Sequence, residues 1–577
     1  MSAPPTTPAN DPDAEGRART LEAAREAYTY DYSYQDLCFT GELPKSEQFD
    51  LPYIEQSVKA TAALKANRAG ASVVELGVEL GGALVHEVPS MRGLVAALEN
   101  AGDTGRVGSI EEYEGMFRAI RRPASIDVWR EDWAFAWQRV AGAVPTLLCR
   151  LDAADDRLPV TGAHLEAALG PGLTLDAARE EGRLFLADYA RFDGIPCGVY
   201  PPDAKKDAVQ KHMAAPLALF CATPDRGLLP VAIQCGQRPG PREPIYTPAD
   251  GARWRLAKTV VQVADANLEG IVVHFGYTHM IVQRFILAAR RQLSARHPVL
   301  ALLSPHFRYT LGANDYSKKE LVTPNGTQDR VLAPALEATL AVLRESIREV
   351  SFDDLDPALA AAAAGVDDAA VLEHPFRDDQ LTVWAALRRW VEGYLALYYP
   401  RDADVAADVE LRAMVAEIAS PDGGRLPRLV GGVRLDSRAG LADLAARIIH
   451  RASSYHAAIN YDWFDWMAFV PNMPAVQRIP MPPPGVPVDD STLLDMLPPR
   501  GLGWEQLAQV YSVDSIHVSF LGEVPDGHFT DPRVAPLLER FRRELADAEA
   551  IIEARNRARR LPYTCLLPSR ITASINS

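Results

Sequence analysis

The sequence predicts a mainly α-helical fold: one large helical domain that carries a small antiparallel β insertion. Two observations lead there. Apolar residues recur at three- and four-residue spacing near the start of the chain and again from Trp254 onward, as on amphipathic helices. Between about residues 190 and 248 short apolar runs alternate with turn residues instead.

The first 18 residues, opening MSAPPTTPANDPDAEGR, are polar and proline-rich and read as a disordered tail ahead of a domain over 19–577. They lack the basic and apolar regions of a secretory signal. TLEAAREAYTYDY, LPYIEQSVKATAALKANRAG and SIEEYEGMFRAIRRP follow with helical periodicity, so the first hundred or so residues are expected to be helical. That pattern excludes an N-terminal β-sandwich, which would show short alternating strands and regular turns. PLALFCATPD and GLLPVAIQCGQ, joined through PDRG, predict a hairpin. Helices return with DQLTVWAALRRWVEGYLALYY and LADLAARIIHRASSYHAAINY. The acidic, alanine-rich FDDLDPALAAAAAGVDDAA and the proline-rich MPPPGVPVDDSTLLDMLPPRG read as surface connections, the second because proline breaks helix interiors.

A chain of 577 residues with 48% apolar and 24% charged residues can bury a large core. Its formal charge of -16 argues against nucleic-acid binding, which needs clustered Lys and Arg. Six widely spaced cysteines with no C-x-x-C pair read as buried thiols in a reducing compartment. With no secretory signal, cytoplasmic residence is expected. No run approaches the roughly 18 apolar residues that span a bilayer, so no stable membrane insertion is expected. A monomer is expected.

Chemistry concentrates in two stretches. The apolar segment NLEGIVVHFGYTHMIVQRFILAARRQLSARHPVLALLSPHF carries histidines at 274, 279, 297 and 306. In an ideal α-helix the five residues from His274 to His279 advance about 500°, leaving the side chains roughly 140° apart. A π-bulge would bring them towards one face, and such bulges tend to mark functional sites. In SSYHAAINYDWFDW, His456 and Asn460 stand four residues apart and share a helix face. Imidazoles with an amide oxygen and no thiolate suit Fe(II), Zn or Mn, and the residues by themselves do not choose among them. A lone histidine on an apolar helix is more often a hydrogen-bonded core residue; the combination points to a metal.

The pattern H-x4-H-x17-H-x8-H formed by His274, His279, His297 and His306 resembles that of the lipoxygenases. WRLAKTVVQVADANLEG, HFRYTLGAN, PNMP and the C-terminal PYTCLLPSRITASINS also resemble family segments, and the likeness runs from about residue 125 to the end. It implies a non-haem iron (Fe2+/Fe3+) held by His274, His279, His456, Asn460 and the terminal carboxylate of Ser577. It also implies that His297 and His306 support the ligands, with Gly270 and Trp463 beside the site where plant members carry two glutamines. Phe275, Phe285, Leu311 and Val331 become candidate walls of a substrate channel; Val331 falls where a small residue commonly steers oxygen. The family often begins with a membrane-docking β-sandwich, and this chain resembles the shorter bacterial forms that consist of the catalytic domain. The reaction implied is hydrogen abstraction by Fe(III)-OH from the 1,4-pentadiene of a polyunsaturated fatty acid, followed by addition of O2 to give a hydroperoxide.

The chain departs from the family pattern at several points. Glu269 stands where many members have a further histidine, and Ser577 replaces a terminal isoleucine, forgoing about 1.5 to 3 kcal/mol of apolar burial. A looser tail is expected from that exchange. These departures motivate a second reading, a specialised iron oxygenase or hydroperoxide isomerase acting on another substrate. A third is a catalytically silent metal- or lipid-binding scaffold.

Overall fold

The computed structural model describes residues 4–70, 102–204 and 206–577. Its axis is a helical run of 41 residues, Ala252–Gln292. The run starts as α-helix (Ala252–Leu268), widens to π-helix (Glu269–Met280) and returns to α-helix (Ile281–Gln292). It is long and apolar enough to cross a membrane, yet 94% of its most apolar window is buried inside the protein. Apolar residues all round a helix mean a core position. Phe285, Ile286 and Leu287 are almost fully enclosed, each side chain contributing about 1.5 to 3 kcal/mol by leaving water.

Other helices surround this axis. Leu336–Glu349 packs along the π segment, and Pro375–Ala396 lies between Arg438–His450 and Ala535–Asn556. A buried polar cluster joins the axis to the helix Asp132–Ala141. The Arg139 guanidinium pairs with Asp265 and donates to Tyr189 Oη at 2.9 Å and Gln262 Oε1 at 2.6 Å. Tyr189 donates to Asp265 Oδ1 at 2.5 Å.

The predicted hairpin forms between Leu217–Thr223 and Gly227–Gln234, with Thr223 opposite Gly227 and a register shift at Leu219/Phe220. It belongs to a five-stranded antiparallel sheet with strands in chain order: Cys149–Arg150, Leu184–Asp188, Leu217–Thr223, Gly227–Gln234, Ile245–Tyr246. The sheet thus begins some forty residues before the expected insertion. Leu217–Thr223 is buried throughout, with Ala218, Phe220 and Ala222 in the main core and Leu217, Leu219 and Cys221 in a second cluster with Leu165. Burial on both faces erases the alternation that marks a one-sided strand.

Four expectations need correction. The supposed tail is structured over residues 4–18: a helix begins at Ala14, and buried Arg17 pairs with Glu410 at 2.5 Å and Asp11 at 2.9 Å. Those ion pairs hold a segment whose composition reads as loose; residues 1–3 lie outside the described residues. The helix expected over TLEAAREAYTYDY ends at Ala27, and Tyr30–Asp31 pairs with Phe39–Thr40. SIEEYEGMFRAIRRP is helical only over Ile110–Glu114, because the N–H groups of Arg118, Ala119 and Ile120 donate to Asn67 Oδ1 (2.7, 2.8 and 3.3 Å). The helix Leu51–Ala69 forms as predicted, capped by Asp50 at Tyr53 N–H and stopped by left-handed Gly70 (φ 68°). The rest of the N-terminal helical expectation, 71–101, lies outside the described residues. Before residue 121 the described residues hold one two-stranded ribbon and no sandwich. The expectation of buried thiols holds for Cys38, Cys221 and Cys565 and fails at exposed Cys149.

Candidate metal centre

The π-helix over Glu269–Met280 resolves the spacing problem that the sequence posed. With hydrogen bonds closing at i+5, residues five apart lie near one line. His279 Nε2 stands 3.2 Å from His274 Nε2. The second ligand-bearing helix is built alike: a π segment, Arg451–Tyr455, leads directly into His456–Asn460. His456 Nε2 stands 3.4 Å from His274 Nε2, and one nitrogen from each of the three rings lies within 4.8 Å of the others. Two nitrogens about 2.1 Å from one ion stand about 3.0 Å apart at a right angle and about 3.4 Å apart at a tetrahedral angle. The spacing is that of cis ligands.

All three histidines are buried, and burial pushes each well below the ordinary imidazole range, His279 to about 4. They are therefore neutral at pH 7, the state a ligand requires. Asn460 stands close enough to His274, and the Ser577 main chain close enough to His279 and His456, to favour the protonated rings and oppose part of the burial effect. Asn460 Nδ2 also donates to Ser577 Oγ at 3.1 Å. The five residues singled out from sequence are thus brought together from three chain segments. Imidazoles, an amide oxygen and a carboxylate, without thiolate, form a donor set that fits iron.

The C-terminal segment is fixed more firmly than its serine end predicts. Ile571, Ala573 and Ile575 are fully enclosed, so the apolar anchor lost at the last residue is present two residues earlier. Leu521 N–H donates to Ile571 O at 2.8 Å, Ala573 N–H to Ser519 O at 2.9 Å, and His306 Nδ1–H to Ala573 O at 2.6 Å. His306 therefore supports the centre through the tail. His297 does not: its ring accepts from Val299 N–H and faces Asp408 Oδ2 at 3.1 Å, so it caps the helix Pro298–Leu303.

Asn314, which the sequence reading passed over, orients a ligand. His279 Nδ1–H donates to its Oδ1 at 2.7 Å, while Asn314 Nδ2 donates to Gln283 Oε1 (2.7 Å) and His279 O (3.2 Å). Its position in HFRYTLGAN, inside the family-like stretch, was the available signal. Trp463 packs edge-on to the His274 ring, centroids 4.9 Å apart. A Cβ at Gly270 would meet Leu332, not a ligand. Burial pushes the fully enclosed Glu269 carboxyl well above the usual range, offset in part by the Trp463 indole.

Of the proposed channel residues, Phe275 lies against His279, ring centroids 5.6 Å apart, and Leu311 sits on the helix that carries Asn314. Phe285 and Val331, like Phe275 and Leu311, belong to the main apolar core. None of the four lines the cavity of about 400 Å³ beside Tyr277 and Tyr455.

Comparison with known proteins agrees with this architecture. The sequence model of the Lipoxygenase family matches residues 121–565. A linoleate 9/13-lipoxygenase of Pseudomonas aeruginosa is 35% identical over 496 residues, covering 82% of this chain and 70% of that protein. The polyunsaturated fatty acid lipoxygenase ALOX15B of Homo sapiens is 32% identical over 477 residues, 81% of this chain and 69% of its own. The crystal structure of a coral 8R-lipoxygenase superposes with a TM-score of 0.87 at 27% identity, covering 100% of this chain and 83% of that one. The chain accordingly belongs to the lipoxygenase family, whose members are oxidoreductases that incorporate molecular oxygen.

Proposed function

We propose that His274, His279, His456, Asn460 and the Ser577 carboxylate hold one non-haem iron, and that the protein oxygenates a polyunsaturated fatty acid at a 1,4-pentadiene to give a hydroperoxide. The observation that carries this reading is the 3.2 and 3.4 Å spacing of three neutral, buried imidazole nitrogens beside a chain terminus. When bound, iron supplies the one-electron redox couple that removal of a hydrogen atom from such a methylene requires.

The remaining work falls to the chain's own residues. Asn314 fixes the His279 tautomer, so that Nδ1 keeps its proton and Nε2 offers its lone pair. His306 and the enclosed isoleucines present the terminal carboxylate. Phe275, Leu311 and Trp463 supply apolar surface near the ligands that excludes water and suits a hydrocarbon chain.

A second reading rests on Glu269, a fully buried carboxyl one π-turn ahead of His274. An acid so placed can hold a proton near a peroxide oxygen, as a hydroperoxide isomerase would use it. Oxygen uptake and conjugated-diene absorbance with linoleate and arachidonate test the first reading. Metal-replete protein that leaves both acids untouched but consumes their hydroperoxides moves the assignment to the second.

A further inference from the structure

The cavity of about 400 Å³ lies apart from the metal centre, since none of the five candidate ligands lines it, yet its floor is made by their neighbours. Tyr277 stands between His274 and His279 on the π-helix, and Tyr455 immediately precedes His456. The outer wall is the alanine-rich helix Pro357–Ala363, with Val366 and Phe376 beside it. Exposed Cys149, Glu349 and Ala363 place the mouth at the surface.

Two cations line it, Arg377 and Arg451. Arg451 is 3% exposed, and its guanidinium stacks 3.8 Å from the Tyr455 ring centroid. Nη2 donates to Asp354 O at 2.6 Å, and the buried Nε has no hydrogen-bond partner. The arginines around it are paired: Arg447 with Asp353 (3.4 Å) and Asp356 (3.3 Å), Arg377 with Asp378 (2.7 Å). No carboxylate comes within the 4.0 Å of an ion pair to Arg451 among the described residues. The acids at the mouth are engaged elsewhere, Glu349 with Arg191 and Asp354 with Ser351. Burial costs this cation more than the nearby Asp354 carboxylate and Tyr455 return, and a ligand carboxylate in direct contact offsets that cost.

We propose that this cavity is a second lipid site, taking a long-chain carboxylate with its head group on Arg451 and its chain along Ala361, Val366, Phe376 and Tyr455. A volume of about 400 Å³ lies in the range of small-ligand pockets. A single anion on an apolar chain is the chemistry that an apolar wall and one unpaired guanidinium select. Because Tyr277 and Tyr455 belong to both ligand-bearing segments, occupancy restrains the two π-helical stretches that aim the histidines. The ligand class is that of the substrate proposed above and rests on that reading, but the site is physically separate.

The test is photo-crosslinking of untagged, metal-replete protein with a diazirine analogue of oleate, which lacks a 1,4-pentadiene. The expected labels fall on peptides covering residues 357–366 and 374–380, are displaced by oleate and survive methyl oleate. Arg451→Met weakens labelling about tenfold or more, the loss of one charge-assisted contact. Ala361→Trp, or Ala364→Phe at the half-buried rim, removes these labels and leaves oxygen uptake with linoleate in place. Labelling in the metal-poor His279→Ala variant persists, so a failure of the dioxygenase reading is seen separately. Absence of label on these peptides, label indifferent to both fillings, or equal displacement by the methyl ester overturns the proposal.

Discussion

His279 donates its Nδ1 proton to Asn314 Oδ1 over 2.7 Å, and Asn314 is held in turn by Gln283 and the His279 carbonyl. A side chain 35 residues away thereby sets which nitrogen of the ring is free to face a metal. Removing such an outer partner typically costs about 10- to 100-fold in metal affinity. Asn314→Leu, close in volume, is expected to weaken iron binding by that factor in a chelator titration, with the circular dichroism spectrum unchanged. Unchanged affinity would remove Asn314 from this role.

The Ser577 terminus makes a sharper demand. Residues added after Ser577 place an amide where the carboxylate stands, so a C-terminally tagged protein is expected to hold much less iron than the untagged one. Ser577→Ala keeps the carboxylate and loses only the hydroxyl contacts to Asn460 at 3.1 and 3.4 Å, and is expected to keep its iron. Full metallation of the tagged form would exclude the terminus as a ligand.

Acid should weaken the fold through buried histidines outside the candidate ligand set. Burial lowers His306 to about 4 and His374 to about 3, from the usual 6.5. Below pH 6.5 the unfolded chain binds protons that the folded chain refuses, so stability falls as pH is lowered from about 6.5 towards 4. Denaturant midpoints measured at steps over that range check the sign. In a His306→Gln, His374→Gln double variant the slope should flatten.

The Arg139 and Asp265 side chains are each 1% exposed and join the central helix to Asp132–Ala141. Breaking a buried pair by removing one partner typically costs about 3 to 5 kcal/mol. Arg139→Leu is expected near the lower end, because burial already raises the Asp265 carboxyl and eases its protonation. Urea unfolding at pH 7 measures it.

Helices, hairpin and the cluster of His274, His279 and His456 were legible because each carries a local signal. Asp50 and Gly70 punctuate a helix, PDRG turns a hairpin, and a five-residue histidine spacing has no sensible α-helical reading. The misreadings share a cause in long-range contact. Arg17 is ordered by Glu410, nearly four hundred residues away, and the helix after Glu114 is cut short by Asn67. Strands Cys149–Arg150 and Leu184–Asp188 were missed because their partners, not their own alternation, define them. His297 matched the family spacing and proved to be a helix cap, since spacing records position and not the direction of a ring.

Metal analysis of the untagged protein beside His279→Ala, paired with oxygen consumption on adding linoleate, tests the central claim most directly. The account predicts about one iron per chain and conjugated-diene formation in the parent protein, with both lost in the variant. Iron retained by His279→Ala, or an iron-replete parent that consumes no oxygen with any pentadiene acid, would contradict it.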